Sequence, residues 1–479
     1  MSQPRADIAI LGGGPGGYEA ALVAAQLGAR VTVVEAEGLG GACVLTDCVP
    51  SKTLVATSET MSALHGAGGL GIRIGSASPG VPVGSAGNPA GSAAGPGTVD
   101  AIQLHRRVKD LARAQSADVA ARLSAEGVEV IAGRGRLAGP HTVVAGDRAI
   151  SADAVLVATG GVPRMLPRAE PDGERILNWR HLYDLGELPE ALIVVGSGVT
   201  GAEFASAYQT LGARVTLVSS RDHVLPNEDQ DAAVVVEEVF QRRGMTVLGR
   251  SRAAAVTRQG SGVTVTLTDG RTVPGSHCLL TVGVVPATRG IGLEEAGVAL
   301  DDAGFARVDR VSRTSAPGVY AAGDCTGVMM LASVAAMQGR IAMWHALGEA
   351  VQPLRLREVA ATIFTEPEIA TVGVTQAAVA SGQVDAVAVK LPLATNPRAK
   401  MQGFQDGFIK LFARRGTGTV LGGVIVAPRA SELILAVSLA VRQMLTVDQV
   451  AQSFAVYPSL SGSLTEAART LMGAATEGA

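Results

Sequence analysis

The sequence predicts an α/β protein in which two Rossmann-like dinucleotide-binding domains are joined to a C-terminal α+β domain. Three observations predict it. A buried strand, a glycine-rich turn, a helix and a second strand follow one another over residues 7–34, and the same order returns over residues 191–218. After Pro353 the pattern changes to alternating short strands followed by helical runs.

Residues 7–11 read as the first buried strand, 12–17 as a turn of Gly-Gly-Gly-Pro-Gly-Gly, 18–27 as a helix and 30–34 as the next strand. Glycines between an apolar strand and a helix start let backbone N–H groups approach a pyrophosphate closely. Gly12, Gly14 and Gly17 are therefore candidate cofactor contacts, and Glu35, 23 positions after Gly12, is placed to bind ribose hydroxyls. The second copy has Gly196, Gly198 and Gly201, but Ser219 stands where the acid would be and Arg221 follows two residues later. A missing carboxylate and a nearby guanidinium admit a 2′-phosphate, so NADPH is expected to bind at least as well as NADH. Residues 75–97, mostly Gly, Ser, Ala and Pro, read as a mobile surface loop. Residues 100–126 read as an amphipathic helix facing the core with Leu104, Val108, Leu111, Val119 and Leu123. Strands are expected at 360–364, 386–390, 407–412 and 420–426.

Composition excludes several classes of function. A net charge of −3 with both signs interspersed offers no basic stripe for nucleic acid. The most apolar late stretch, 433–441, stops at Arg442, short of the ~20 residues that span a bilayer. Residues 1–7 run into a strand with no cationic start or hydrophobic leader, so a cytoplasmic protein without a transmembrane segment is expected. Four cysteines are too few and too scattered for a secreted disulfide framework. Only Cys43 and Cys48 form a local pair, and no further Cys or His nearby completes a metal site.

That pair lies in Gly40-Gly41-Ala42-Cys43-Val44-Leu45-Thr46-Asp47-Cys48-Val49-Pro50-Ser51-Lys52. The segment resembles the redox-active element of the flavoprotein disulfide reductases, such as lipoamide dehydrogenase, glutathione reductase and mercuric reductase. The likeness extends to Ala158-Thr159-Gly160, to Tyr320-Ala321-Ala322-Gly323-Asp324 and to Phe364-Thr365-Glu366-Pro367-Glu368. It implies FAD and NAD(P) domains plus a C-terminal α+β dimerisation domain, hence a homodimer. The implied boundaries are 1–160 and 286–352 for FAD, 161–285 for NAD(P) and 353–479 for the dimer. The resemblance further implies that Asp324 accepts from the ribityl chain and that Lys52 pairs with Glu203 beside the flavin N5. It adds Pro15, Gly41, Lys52, Gly135, Thr159, Gly160, Gly283 and Ala332 to the cofactor-binding set. Of the two thiols, Cys48 would be the one nearer the flavin and Cys43 the one that exchanges with a disulfide. A helix start at Cys48 would lower its thiol pKa and favour a thiolate there.

The pattern fails in one place. Disulfide exchange needs an acid–base group for the departing thiolate. The family supplies a histidine oriented by a glutamate, from the partner subunit, whereas this chain has Tyr457 and Gly462 at those positions and its last histidine is His345. A tyrosine, ordinarily titrating near ~10, is a poor proton acceptor at neutral pH. Quinones take electrons from reduced flavin without thiol exchange, and residues 222–226, 320–326, 331–340 and 456–466 resemble the lipoamide dehydrogenase-like NAD(P)H:quinone reductases of actinobacteria. Cys43 departs from that closer likeness, whose members lack the first cysteine. The expected activity is a ping-pong NAD(P)H:quinone reductase, with a disulfide reductase using Cys43 and Cys48 as the rival reading. A non-catalytic flavin redox sensor is the other alternative.

Overall fold

A computed structural model describes residues 5–73 and 97–476. The expected loop at 75–97 lies, apart from Gly97, outside the described residues. The chain divides into two units. The first comprises Met1–Thr53, His105–Asp184 and Leu279–Val359, and the second Leu54–Leu104, Leu185–Cys278 and Ala360–Ala479.

In the first unit, apolar runs separated by helices give strands buried on both faces, which suits a parallel sheet. Five parallel strands lie in the order Val319–Ala321, Ala154–Val157, Asp7–Leu11, Arg30–Glu35, Glu129–Ala132. From Asp7–Leu11 the sheet grows through Arg30–Glu35 on one side and through Ala154–Val157 on the other. Loops leaving the carboxyl ends of Asp7–Leu11 and Ala154–Val157 must therefore diverge, and a crevice opens between them. The helix at Ala101–Ala125 buries Leu104, Val108, Val119 and Leu123 as expected. Leu111 is a correction: it is exposed, and its neighbour Ala112 is buried instead. The helical repeat of 3.6 residues carries the apolar stripe past position 111 at this point.

The second unit repeats the parallel arrangement with Thr246–Leu248, Arg214–Val218 and Ala191–Val195 side by side. Its C-terminal part is a five-stranded antiparallel sheet in the order Ala360–Ile363, Glu368–Gly373, Val420–Ala427, Phe408–Arg414, Ala386–Pro392. Four of these strands match the sequence reading within a few residues. Glu368–Gly373 was hidden by the Glu366-Pro367 that precedes it and the charged Glu368 that opens it. The helices Ala430–Arg442 and Gly462–Thr476 contribute Ile434, Val437, Ala467 and Leu471 to the core over this sheet.

Within this unit Lys410, only 2 % exposed, is compensated on two sides. Its Nζ lies 2.8 Å from Asp229 Oδ2 and 2.6 Å from Asp231 Oδ2. Asp229 also caps the helix Gln230–Arg242 through the Ala232 N–H. Burial of this cation is tolerable only because both carboxylates meet it. Among the described residues no helix is long and apolar enough to cross a membrane.

Candidate cofactor and redox site

The crevice of the first unit belongs to a cavity of about 1080 Å³. That exceeds the usual size of a small-molecule pocket, roughly 300–1,000 Å³, and suits a dinucleotide. Gly12, Gly14, Pro15, Glu35, Gly41, Cys43, Cys48, Gly135, Thr159, Gly160, Asp324 and Ala332 all line it. The first glycine turn, the thiol pair and both later FAD-like motifs are thus brought to one place.

Backbone packing explains the turn. Gly12 has φ +102°, and a Cβ there would stand 2.3 Å from the Ala158 carbonyl oxygen. At Gly17 a Cβ would come within 1.8 Å of the Gly12 oxygen. Only glycine lets the chain turn this tightly into the helix Pro15–Gln26, whose N-cap Gly14 provides no side-chain cap. The helix start is left open to an anionic ligand.

Glu35, ending its strand, is held by three backbone donors. The Gly13 N–H reaches Oε2 at 2.5 Å, while the Glu37 and Gly38 N–H groups reach Oε1 at 2.6 and 3.1 Å. Three of the carboxylate's four acceptor positions are thereby used, and Oε2 keeps one for a ligand hydroxyl. Across the crevice, Thr159 Oγ1 is buried with no hydrogen-bond partner among the described residues. Burial, with Asp47 nearby, pushes the Asp324 carboxyl up to about 6. An unpaired hydroxyl and a carboxyl short of donors fit a polyhydroxylated ligand, and FAD is such a ligand.

Cys43 sits in the short helix Gly41–Leu45, and Cys48 opens the helix Cys48–Gly66, with Lys52 one turn further on. The two thiols share a hydrogen bond, which lowers the Cys43 pKa. That bond, together with burial and the Asp47 charge, raises Cys48. Lys52 acts to lower both. These directions describe the flavin-free chain, and a Cys48 thiolate beside bound flavin stays an expectation. A helix start with no neighbouring acceptor would have acted in the opposite direction.

Lys52, Gly17 and Gly283 do not line the cavity. Gly283 instead accepts the Arg164 N–H through its carbonyl at 2.9 Å. Glu203 and Tyr457 belong to the second unit. There Glu203 is buried on the helix Val199–Thr210, and its Oε1 accepts the Phe364 N–H at 2.9 Å. Tyr457 is 83 % exposed.

The second glycine turn, Gly196, Gly198 and Gly201, also lies in the second unit and leads into this same helix. Ser219 is buried at the end of the neighbouring strand, accepting from Ser197 Oγ at 2.7 Å and from the Arg221 N–H at 3.1 Å. Its hydroxyl shapes the turn. Asp222 is paired with Arg250, and the exposed Arg221 guanidinium has no carboxylate partner among the described residues. Cavity residues that sequence reasoning missed include Glu37, Asp47 and Arg180. Nothing in the mixed polar and apolar stretch 176–183 marks Arg180 in the sequence.

The pyridine nucleotide-disulphide oxidoreductase family model matches residues 6–339, and that family's dimerisation-domain model matches residues 359–468. The chain is 57% identical to the NAD(P)H dehydrogenase (quinone) of Mycobacterium tuberculosis, covering 97% of this chain and 94% of that protein. It is 33% identical to the dihydrolipoyl dehydrogenase of Chlorobaculum tepidum, covering 96% of each. The crystal structure of LpdA from Mycobacterium tuberculosis is similar with a TM-score of 0.89 at 56% identity, covering 98% of this chain and 100% of that one. The HOCl-induced flavoprotein disulfide reductase RclA from Escherichia coli has the same fold, with a TM-score of 0.83 at 23% identity over 97% of this chain and 99% of that one.

The Asp324 shift has a measurable consequence. Its carboxyl is raised from 3.8 to about 6 in the folded chain, so folding favours the protonated form. This contribution to stability is full below the unfolded value and is lost as pH rises through about 6. In cofactor-free protein, Asp324→Asn should gain on the parent by about 2 kcal/mol in unfolding free energy between pH 4 and pH 7. Urea titrations of both proteins at the two pH values measure it, and a pH-independent difference would contradict the assignment.

Proposed function

We propose that this chain, which belongs to the pyridine nucleotide-disulphide oxidoreductase family, passes electrons from NADPH or NADH through FAD to a small quinone, as a cytoplasmic homodimer. One observation carries the choice of acceptor. Tyr457 stands where the family's acid–base histidine belongs, and no histidine follows His345. The dimer reading is supported by the dimerisation-domain match, and the cytoplasmic reading by the scattered, unpaired cysteines.

When bound, FAD accepts hydride from the reduced nicotinamide and releases electrons to the second substrate. The protein's own part is binding, orientation and charge. The turn at Gly12, Gly14 and Gly17 receives the FAD pyrophosphate, Glu35 the ribose, and Thr159 and Asp324 the polyhydroxyl chain. Gly196, Gly198 and Gly201 receive the nicotinamide nucleotide, with Arg221 free for a 2′-phosphate. Lys52 adds positive charge beside the thiols, and we assign Glu203 to the same reaction as a buried, oriented carboxylate.

A quinone gains two electrons and two protons overall without expelling a thiolate, so it needs no acid at position 457. A disulfide substrate does need one. The disulfide reading keeps one observation in its favour, the hydrogen-bond contact between Cys43 and Cys48.

Three measurements test the proposal. The Cys43→Ser/Cys48→Ser variant should keep kcat/KM for a menadione-type quinone within about threefold of the parent. Parent activity with lipoamide should be lower than with quinone by orders of magnitude, and the reverse ranking would overturn the assignment. Arg221→Ala should raise KM for NADPH about tenfold while leaving NADH nearly unchanged, from the loss of one charge-assisted contact. An equal effect on both nucleotides would remove Arg221 from 2′-phosphate recognition.

A further inference from the structure

Arg180 sits on a rigid piece of chain. Its own N–H donates to Asn178 Oδ1 at 3.0 Å, and the Asn178 N–H in turn donates to His181 Nδ1 at 3.2 Å. Trp179 and Leu182 on either side are buried. The guanidinium is therefore delivered to the cavity wall from a fixed backbone. One of its nitrogens, Nη1, reaches Glu37 Oε2 at 3.3 Å. Nε is buried and has no hydrogen-bond partner among the described residues.

A buried guanidinium N–H without an acceptor is costly, because removal from water is not compensated. Glu37 cannot serve both nitrogens here, since it meets Nη1 alone. The acceptor must come from whatever fills the cavity. Its location follows from the bonding: Glu37 holds Arg180 through its side chain, and the Glu37 N–H is bound to Glu35 Oε1. Glu35 is the acid expected to receive a ribose. Arg180 thus stands beside the adenosine half of the dinucleotide, away from the redox chemistry.

We propose that Arg180 is a binding residue for the adenosine diphosphate half of FAD, donating its Nε–H to an acceptor on that half while Glu37 sets the plane of the guanidinium. The inference rests on the FAD reading of this cavity. Arg180 acts on retention of the cofactor, and the electron transfer steps do not involve it.

The test uses full-length protein stripped of flavin, with NADP⁺ saturating the second glycine turn so that ADP reports on the first. Calorimetry gives Kd for FAD and for ADP with the parent, Arg180→Met and Arg180→Lys. Lysine keeps the charge but offers no N–H at the Nε position. Both variants should weaken FAD and ADP alike, by at least fivefold and on the order of tenfold to a hundredfold. Near-ultraviolet circular dichroism matching the parent shows that the fold is kept. A loss below fivefold for either ligand would overturn the inference, because a solvent molecule then satisfies Nε. So would a loss with FAD but none with ADP, or full affinity in Arg180→Lys. Failure of the parent to bind FAD at all would instead remove the flavin reading, and this inference with it.

Discussion

The carbonyl of Ala158 and the backbone of Gly12 approach so closely that any side chain at position 12 would overlap it, the ideal Cβ lying 2.3 Å from the oxygen. This contact exists because two neighbouring parallel strands, Asp7–Leu11 and Ala154–Val157, end side by side and their loops then part. The cavity, the open helix start at Gly14 and the position of Glu35 all follow from that divergence. Thr159 and Gly160 reach the same cavity because they continue the second of these strands, and Asp324 because it follows Val319–Ala321, the next one along. Four stretches of sequence far apart in the chain are assembled by strand order alone.

Much of this was legible in the sequence because glycine in a strand-to-helix turn has a steric cause that leaves a local trace. Gly12, Gly14 and Gly17, with Glu35 at its offset, needed only nearby residues for their interpretation. The thiol pair was legible as a motif, yet its internal hydrogen bond, which acts to lower the Cys43 pKa and to raise that of Cys48, was not. That bond depends on the path of the chain between the helices Gly41–Leu45 and Cys48–Gly66. Arg180 was illegible for a different reason: its partner Glu37 is distant in sequence, and nothing local distinguishes it from a surface cation. Leu111 shows the same limit on a smaller scale, since neighbouring turns of one helix decide which apolar residue faces inward.

The two substrates of the reaction make different demands on the chain. Nucleotide binding is built from backbone geometry, which tolerates little change. In the proposed reading, acceptor choice depends on proton supply at the C-terminal segment. Tyr457, where the family resemblance places a histidine, would then supply no acid for a thiolate leaving group and would leave hydride acceptance untouched. Around Cys43 and Cys48, Lys52 and Asp47 act in opposite directions, the cation lowering and the carboxylate raising both thiol pKa values.

The central claim, that electrons leave for a quinone without passing through a substrate disulfide, is tested most directly by anaerobic stopped-flow mixing. Enzyme reduced with one equivalent of NADPH is mixed with a menadione-type quinone or with lipoamide, and the return of the oxidised flavin spectrum is followed. Reoxidation by the quinone within the turnover time, with none by lipoamide on that scale, is the predicted result. Rapid reoxidation by lipoamide and slow reoxidation by the quinone would contradict it.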